Sequence, residues 1–301
     1  MTKTKVSNKD LAIKISVVSI AINIILSILK LIAGIISHSS AMISDAVHSA
    51  SDVVSTVVVI VGLNISSKQA DKEHPYGHDR LESISALLLS IILAGTGLMI
   101  GFSGIKNIIN GTVQEITNSI ALGSGILSIV VKEVQYQYTR KVAKKIHSDS
   151  LMADAWHHRS DALSSVGSSI GIIGTMAGIY IMDSIASIVI SVFIIHAGYQ
   201  IMKESIDKLI DKSCDDKTIA KIETVIVSQD GVKGIDEFRT RLFGSKIYVD
   251  VTILIDGNTI LKDAHAISES VHDAVEDAFP NIKHCMIHIH PFSSIENENN
   301  D

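Results

Sequence analysis

Long apolar runs dominate the first two thirds of the chain and constrain its fold most strongly. A helix that crosses a bilayer needs about 20 mainly apolar residues. Six runs approach or exceed that length, and the chain as a whole is 47% hydrophobic. They extend from Leu11 to Ile36, Ala41 to Ile65, Ile84 to Ile109, Ile116 to Tyr138, Leu151 to Ile181 and Ile185 to Met202. The pattern predicts an all-α transmembrane bundle of six helices over residues 11–212.

Positive charges are distributed unevenly between the loops. Every second connection, and the segment before the first run, carries them: Lys3, Lys5 and Lys9; Lys68, Lys72 and Arg80; Arg140, Lys141, Lys144 and Lys145. Positively charged loops stay in the cytoplasm. We therefore expect a multi-pass protein of the cell membrane with both termini in the cytoplasm. Residues 1–10 then form a cytoplasmic segment, and the first run is interpreted as a retained span rather than a signal peptide.

From about residue 213 the sequence becomes typical of a soluble domain. A helical pattern is followed by two alternating strands around Gly244, an amphipathic helix and a last strand, "KHCMIHIHP". This order predicts a cytoplasmic αββαβ domain of the α+β class over residues 213–293, with a disordered tail at 294–301. The net charge of −6 gives no support for nucleic-acid binding, and two cysteines without a C-x-x-C motif exclude a disulfide framework.

Two segments of the apolar runs share one pattern of ionisable residues. "DAVHSASD" at 45–52 and "DAWHHRSD" at 154–161 both read D-A-x-H-x-x-S-D. Residues four apart lie on one face of a helix, and ionisable groups inside membrane spans usually serve function. Two such helices side by side would present two imidazoles and two carboxylates to one point, which suits a tetrahedral divalent metal, zinc above all. The predicted ligands are His48, Asp52, His157 and Asp161.

Other ionisable residues in these runs receive different interpretations. Asp45 and Asp154 lie three residues before the predicted histidine ligands and are candidates for supporting or entry groups. His158 and Arg159 fall on other helical faces, which favours a structural role. His196 stands alone in the sixth run and is interpreted as a packing residue.

Two G-x-x-x-G pairs occur in the runs, at Gly97 with Gly101 and at Gly174 with Gly178. Small residues at this spacing permit close helix contacts. Ordinary helix packing without any sliding motion explains the pairs equally well.

The loop "ADKEHPYGHDRLE" offers a second candidate metal site. Asp71, His74 and His78 are close in sequence, and the Pro-Tyr-Gly segment between the histidines argues against a regular helix. A bent loop would bring the three side chains to one metal ion. The alternative is a merely polar loop.

The last strand carries the third candidate cluster. His288 and His290 alternate on this strand and so share a face, to which His284 also belongs. His265 on the preceding helix and Asp236 on the first strand are candidates to join them. A solvated, histidine-rich sheet edge is the alternative.

These residues together carry a family resemblance over residues 8–293. The stretches "SSAMISDAVHSASDVVS", "HPYGHDRLESISALLLS", "ADAWHHRSDALSS" and "GIDEFRTRLFGSKIYVDVTILID" closely resemble the cation diffusion facilitators, which export divalent metals from the cytoplasm. The resemblance implies a homodimer, six spans per subunit, a cytoplasmic domain similar to metallochaperones, and metal–proton antiport by alternating access. It implies three sites: a transport site of His48, Asp52, His157 and Asp161; a loop site of Asp71, His74 and His78; and cytoplasmic sites using Asp236, His265, His288 and His290.

The sequence departs from the family pattern at one position of the cytoplasmic domain. Many members have a histidine on the second strand where this chain has Thr252. A set of two histidines and two aspartates in the spans resembles the zinc-preferring pattern, whereas carboxylate-only or Asn/Asp sets resemble manganese exporters. The sequence therefore predicts a proton-coupled exporter of Zn²⁺, with Fe²⁺, Cd²⁺ and Co²⁺ as further cargo.

Three alternatives stay open at this stage. The first is export of manganese or iron by the same mechanism, since imidazole also suits other transition metals. The second is a metal-sensing membrane scaffold that does not transport. The third, a membrane metalloenzyme, is disfavoured because no additional base or nucleophile lies near the predicted ligands. We thus expect no enzymatic activity and no cofactor besides the transported or regulatory metal. The expected partners are lipid, protons, divalent metal and a second copy of the chain.

Overall fold

The computed structural model describes residues 8–36, 40–111, 119–176, 179 and 181–292. Some side chains inside its helices, that of His48 among them, lie outside the description. The chain divides into two compact units, Met1–Ile206 and Asp207–Asp301.

The first unit is built from long helices that follow the apolar runs. They are α1 (Asn8–Ile36), α2 (Ser40–Ser66), α3 (Arg80–Asn110), α4 (Ser119–Ile146), α5 (Asp149–Met176) and α6 (Met182–Leu209). The helical unit predicted from the sequence is confirmed. Several helices extend beyond the apolar runs, and α4 continues past Tyr138 through "TRKVAKKI". The two lysines in its last turn stabilise the helix, because they interact favourably with the negative end of the helix dipole.

Within the described residues, two helices are long and apolar enough to cross a membrane by composition alone. They are Asp10–Ile32 of α1 and Arg80–Asn110, which is α3. α1 also directs large apolar side chains outward, with Ile25 59% and Ile28 52% exposed. An outward apolar surface of this kind is explained by contact with lipid rather than water.

Helix α5 lies at the centre of the unit and packs against α2, α3 and α4, while α1 packs against α2 and α4. Small and branched apolar side chains fill the space between these helices. The buried members of this core are Ala12, Ile15, Val59, Leu63, Ala86, Leu89, Leu93, Ala143, Ile146, Leu151, Ala153, Ile190, Ile194, Ala197 and Ile201. This packing fixes the two helices that carry the repeated D-A-x-H-x-x-S-D pattern against each other.

Glycines allow α3 and α6 to approach closely. A Cβ atom added at Gly101 would lie 2.6 Å from Oγ of Ser191, and one added at Gly104 would lie 2.9 Å from the backbone oxygen of Ser184. At Gly198 the nearest atom would be the backbone nitrogen of Ala94, 3.0 Å away. The pair Gly97 and Gly101 therefore lies at a close helix contact. Gly174 and Gly178 of the second pair lie outside the described residues and side chains.

The second unit has the predicted αββαβ order. Its elements are α7 (Asp216–Val227), β1 (Gly234–Phe243), β2 (Lys246–Ile255), α8 (Leu261–Ala278) and β3 (Ile282–Pro291). The sheet order is β1-β2-β3. β1 and β2 form an antiparallel hairpin whose turn uses Gly244 with φ of 60°. α8 is the crossover that makes β3 parallel to β2.

One apolar layer joins the two helices of this unit to the sheet. Its buried members are Ile222, Ile226, Ile247, Val249, Val251, Ile253, Ile255, Ala264, Val271, Val275, Ile282 and Cys285. Burial raises the pKa of the Cys285 thiol to about 12. Cys285 thus packs within this apolar layer, 2% exposed, as a neutral thiol of low reactivity.

Candidate metal centre

Helices α2 and α5 bring three of the four predicted transport-site ligands together. Ligand atoms of Asp52, His157 and Asp161 all lie within 4.8 Å of one another. All three side chains are buried, and Nε2 of His157 lies 3.5 Å from Oδ1 of Asp52. One imidazole and two carboxylates form a ligand set suited to a divalent transition metal.

The fourth predicted ligand, His48, lies on α2 one turn before Asp52. Its side chain is outside the described part of the structure. His48 therefore stays a predicted ligand.

Sequence reasoning missed a lysine at this centre. Nζ of Lys132, on α4, lies 2.6 Å from Oδ2 of Asp52 and 2.9 Å from Oδ2 of Asp161. Its side chain is only 1% exposed. The available signal was a basic residue in the middle of the apolar run from residue 116 to 138, which argues for a buried partner.

Asp154 and His158 belong to a neighbouring buried polar network. Oγ1 of Thr56 donates a hydrogen bond to Oδ1 of Asp154 at 3.1 Å. Nε2 of His158 is 2.7 Å from Oγ of Ser19 and 3.6 Å from Oδ2 of Asp154. Gln135 donates to the same serine oxygen at 3.1 Å. Asp154 therefore holds α5 to α2 in a supporting position, and His158 connects α5 to α1.

The remaining ionisable residues of α5 and α6 make contacts of a structural kind. The guanidinium carbon of Arg159 lies 4.4 Å from the ring centre of Tyr136, a cation–π contact between α5 and α4. Nε2 of His196 lies 2.9 Å from Nε2 of Gln200 on the same helix. These contacts agree with the structural roles expected from the sequence.

The loop between α2 and α3 brings its three predicted ligands together. Ligand atoms of Asp71, His74 and His78 lie within 4.8 Å of one another. Nδ1 of His74 is 3.4 Å from Oδ1 of Asp71, and Nε2 of His78 is 3.5 Å from Oδ2 of the same carboxylate. The bend at Pro75–Gly77 makes this convergence possible.

Backbone hydrogen bonds preorganise the carboxylate of this loop. The backbone N–H groups of His74 and Glu73 donate to Oδ1 of Asp71 at 2.7 and 3.0 Å. The hydrogen bond from the His74 backbone, more than any other interaction, holds the pKa of Asp71 below its ordinary value. Oδ2 and the two rings, whose centroids are 4.5 Å apart, face the space between them.

The third cluster is only partly assembled. Nδ1 of His290 lies 3.1 Å from Oδ2 of Asp236, and the rings of His288 and His290 are 5.7 Å apart. His265 instead lies 3.9 Å from Glu269 on its own helix. Among the described residues of this domain, no three ligand atoms converge as they do at the other two clusters.

Thr252 on β2 and His284 on β3 lie next to this cluster. Thr252 is paired with His288 in the register of β2 and β3, so a threonine stands beside the histidines where a further ligand is expected. His284 packs its ring against Tyr248 and His272, at 6.2 and 6.1 Å between centroids. The cytoplasmic set of Asp236, His265, His288 and His290 stays a prediction.

A helical unit with apolar outer faces, a buried imidazole–carboxylate centre and a separate α+β domain together define a membrane transporter of divalent metals. Comparison with known families agrees. The model of the cation efflux transmembrane domain matches residues 16–210, and that of the cation efflux protein cytoplasmic domain matches residues 214–292. The chain belongs to the cation efflux family, the cation diffusion facilitators.

Relatives of this chain include proteins from archaea and bacteria. An uncharacterized transporter of Methanocaldococcus jannaschii is 36% identical over 81% of this chain and 85% of its own length. The manganese efflux system protein MneP of Bacillus subtilis is 30% identical over 93% of this chain and 96% of its own length. A solved nickel form of the MamM C-terminal domain is 26% identical, covers 26% of this chain and 98% of its own, and has a TM-score of 0.25.

Proposed function

We propose that this transporter exports Zn²⁺ from the cytoplasm in exchange for protons. The observation that carries the proposal is the buried convergence of Asp52, His157 and Asp161 between α2 and α5. Ionisable groups inside a membrane segment are costly, and by default they indicate a pathway or a binding site. An imidazole beside two carboxylates is a zinc ligand set, and His48 is proposed as the fourth ligand.

Proton exchange follows from the chemistry of these ligands. Histidine binds a metal only in its neutral form, and aspartate only when it is ionised. Metal and protons therefore compete for the same atoms. If the site loads metal from the cytoplasm and meets protons on the other side, inward proton flow drives metal export.

The converging loop residues Asp71, His74 and His78 support a second metal site at the membrane surface. The cytoplasmic residues Asp236 and His290 support a third, completed by His265 and His288 after rearrangement. We propose that these sites bind the exported metal and regulate transport, because they lie outside the buried centre.

We also propose the family topology for this chain. Helices α1 to α6 each cross the cell membrane, both termini lie in the cytoplasm, and two copies form a homodimer. The positive charges at residues 140–145 and 68–80 support the orientation. The cytoplasmic family model, named ZT_dimer, supports the dimer.

Manganese is the second candidate cargo. It is favoured by the similarity to the manganese efflux system protein MneP along nearly the whole chain. Carboxylate oxygens suit Mn²⁺ as well as Zn²⁺, and two of the three converging ligands are carboxylates. The cargo is thus a matter of relative transport rates rather than of the site's existence.

Metal uptake into proteoliposomes tests the function and the cargo together. Zn²⁺, Mn²⁺, Fe²⁺ and Co²⁺ are offered singly to the full chain, with a pH-sensitive dye inside the vesicles. We expect the largest rate with Zn²⁺, proton counterflow, and a loss of more than about 100-fold in Asp161→Asn, since even groups supporting a ligand contribute 10–100-fold. Asp277→Asn, on the exposed face of α8, is the matched control.

The results of this assay distinguish the proposed zinc antiport from its alternatives. Equal or faster Mn²⁺ uptake assigns manganese as cargo and overturns the zinc proposal. Metal uptake without proton counterflow overturns antiport. Unchanged uptake in Asp161→Asn overturns the buried centre as the transport site, and metal binding without any uptake supports the sensor reading instead.

A further inference from the structure

The ammonium group of Lys132 bridges the two carboxylates of the buried centre. It contacts Oδ2 of Asp52 at 2.6 Å and Oδ2 of Asp161 at 2.9 Å, and these residues lie on α4, α2 and α5 respectively. All three side chains are less than a tenth exposed. Three charged groups from three helices therefore meet at one point away from solvent.

The ammonium lies between Oδ2 of Asp52 and Oδ2 of Asp161, where an ion shared by the two carboxylates would also lie. A zinc ion lies about 2.0–2.2 Å from carboxylate oxygens, so an ion shared by Asp52 and Asp161 occupies the space between them. A charged lysine has three donors and no lone pair, so Lys132 cannot act as a ligand itself. Ammonium and metal ion also repel each other, so a metal ion that binds these carboxylates weakens their contact with Lys132.

Burial of the two carboxylates explains why a lysine lies between them. Two unpaired carboxylates inside the bundle would carry a large desolvation penalty, and a positive partner offsets it. Lys132 supplies this partner from within the chain. The chain thus places its own cation between these carboxylates, one attached to α4 by a flexible four-carbon stem.

We propose that Lys132 is a tethered competitor of the transported metal: its ammonium holds the Asp52–Asp161 pair in the empty state and must withdraw for metal to bind. The inference rests on the proposed function, because it requires the metal to bind at these carboxylates. It makes Lys132 a residue that sets metal affinity and release. A monovalent cation is attracted to the two carboxylates less strongly than a divalent ion and displaces the ammonium less effectively. Lys132 therefore also selects for divalent cargo.

Calorimetric titration of the full chain in lipid nanodiscs with Zn²⁺, and separately with Mn²⁺, tests this. The binding phase that disappears in Asp161→Asn is assigned to the buried centre. Lys132→Gln keeps a hydrogen-bond donor near the carboxylates but removes the charge. We expect the assigned phase to tighten by about tenfold or more, because close buried charge pairs couple at least this strongly.

Two further variants sharpen the comparison. Lys132→Arg keeps the charge and offers a guanidinium fork that pairs with both carboxylates, so the same phase weakens by about tenfold. Lys144→Gln removes an exposed lysine of the same helix and leaves the phase unchanged. If the glutamine variant does not fold, the arginine variant alone decides, and wild-type affinity in it overturns the inference.

The titrations distinguish a failure of the competitor role from a failure of the proposed transport site. An assigned phase that is unchanged or weaker in Lys132→Gln overturns the competitor role and leaves the metal centre intact, because lysine is then a structural partner only. If Asp161→Asn removes no phase, metal binds elsewhere, and both the proposed transport site and the inference fail.

Discussion

Thr56 of α2 donates a hydrogen bond from Oγ1 to Oδ1 of Asp154 on α5, at 3.1 Å. Asp154 is the first aspartate of the second D-A-x-H-x-x-S-D segment and is fully buried. The bond joins the two helices that carry Asp52 and Asp161, one turn or two away from those residues. It therefore acts on the geometry of the metal centre without contributing a ligand.

Thr56→Val removes this bond and keeps the side-chain shape. The expected loss is about 1.5–3 kcal/mol of stability, because the accepting carboxylate stays buried and loses a donor. The unfolding temperature in nanodiscs and the rate of Zn²⁺ uptake are both measured. We expect both to be lower in Thr56→Val than in the wild type. Thr96→Val is the control, since the hydroxyl of Thr96 donates to the carbonyl of Ile92 on its own helix. Equal unfolding temperatures for the two variants contradict the role given to Thr56.

The loop carboxylate Asp71 gives a prediction about pH. Its pKa is lowered in the folded loop, chiefly by the backbone N–H of His74. A depressed pKa means that the folded loop binds a proton less readily than the unfolded loop. The stabilisation is therefore present above the ordinary aspartate value near 4 and is lost as pH falls through the lower folded value. Carboxyl ¹³C chemical shifts, compared with Asp71→Asn for assignment, should show a titration midpoint below that of an unstructured peptide of the same loop.

His78 is the least exposed member of the loop cluster, at 9%. We expect His78→Ala to remove one bound metal per chain, because Asp71 and His74 alone offer too few ligands for a divalent ion. Metal stoichiometry is measured by atomic absorption after dialysis of the full chain against micromolar Zn²⁺. His147→Ala changes an exposed histidine beyond α4 and should retain the wild-type stoichiometry. Identical metal content in both variants argues against a loop site.

The sequence is sufficient to predict those features that depend on local periodicity. Apolar runs of helical length and alternating strands gave the order of elements in both units, and i to i+4 spacing placed His157 and Asp161 on one face. Helix ends were less predictable, since residues 139–146 of α4 include one arginine and three lysines yet continue the helix. Hydropathy measures contact with lipid, whereas the helix itself depends on propensity and capping.

Contacts between distant segments were the harder part. Lys132 is 80 residues from Asp52 and 29 from Asp161, and no local pattern indicates that α4 directs it to the centre. The contact of His158 with Ser19 agrees with the structural role expected for it, but its partner depends on the packing of α5 against α1, which the sequence does not show. Conversely, His265 is correctly placed on α8 but lies beside Glu269, because a shared face of the domain does not ensure convergence.

The close contact of α3 with α6 gives a paired prediction on stability. A Cβ at Gly104 would lie 2.9 Å from the backbone oxygen of Ser184, so Gly104→Ala forces the helices apart. We expect a loss of about 1–3 kcal/mol, as for other overpacked sites. At Gly95 of the same helix an added Cβ meets nothing within 4 Å. Gly95→Ala should then raise stability by about 0.5–1 kcal/mol through helix propensity alone. Thermal unfolding of both variants measures the difference, and a destabilised Gly95→Ala would show that the helix itself, rather than the contact, requires glycine.

Thr252 offers a gain-of-binding test of the cytoplasmic cluster. Its position on β2 is paired with His288 on β3 and with Glu237 on β1. Paired residues of neighbouring strands lie about 5 Å apart on the same face, so an imidazole at residue 252 would stand beside those of His288 and His290. Thr252→His should therefore tighten Zn²⁺ binding to this domain by about tenfold or more, since it adds a ligand to an incomplete set. Titration is made in the full chain carrying Asp161→Asn and His78→Ala, which remove the contributions of the buried centre and of the loop site. Thr252→Val is the control that alters the same position without adding a ligand. Equal affinities in the histidine and valine variants would show that the orientation of His288 and His290, and not the missing ligand, limits metal binding at this edge of the sheet.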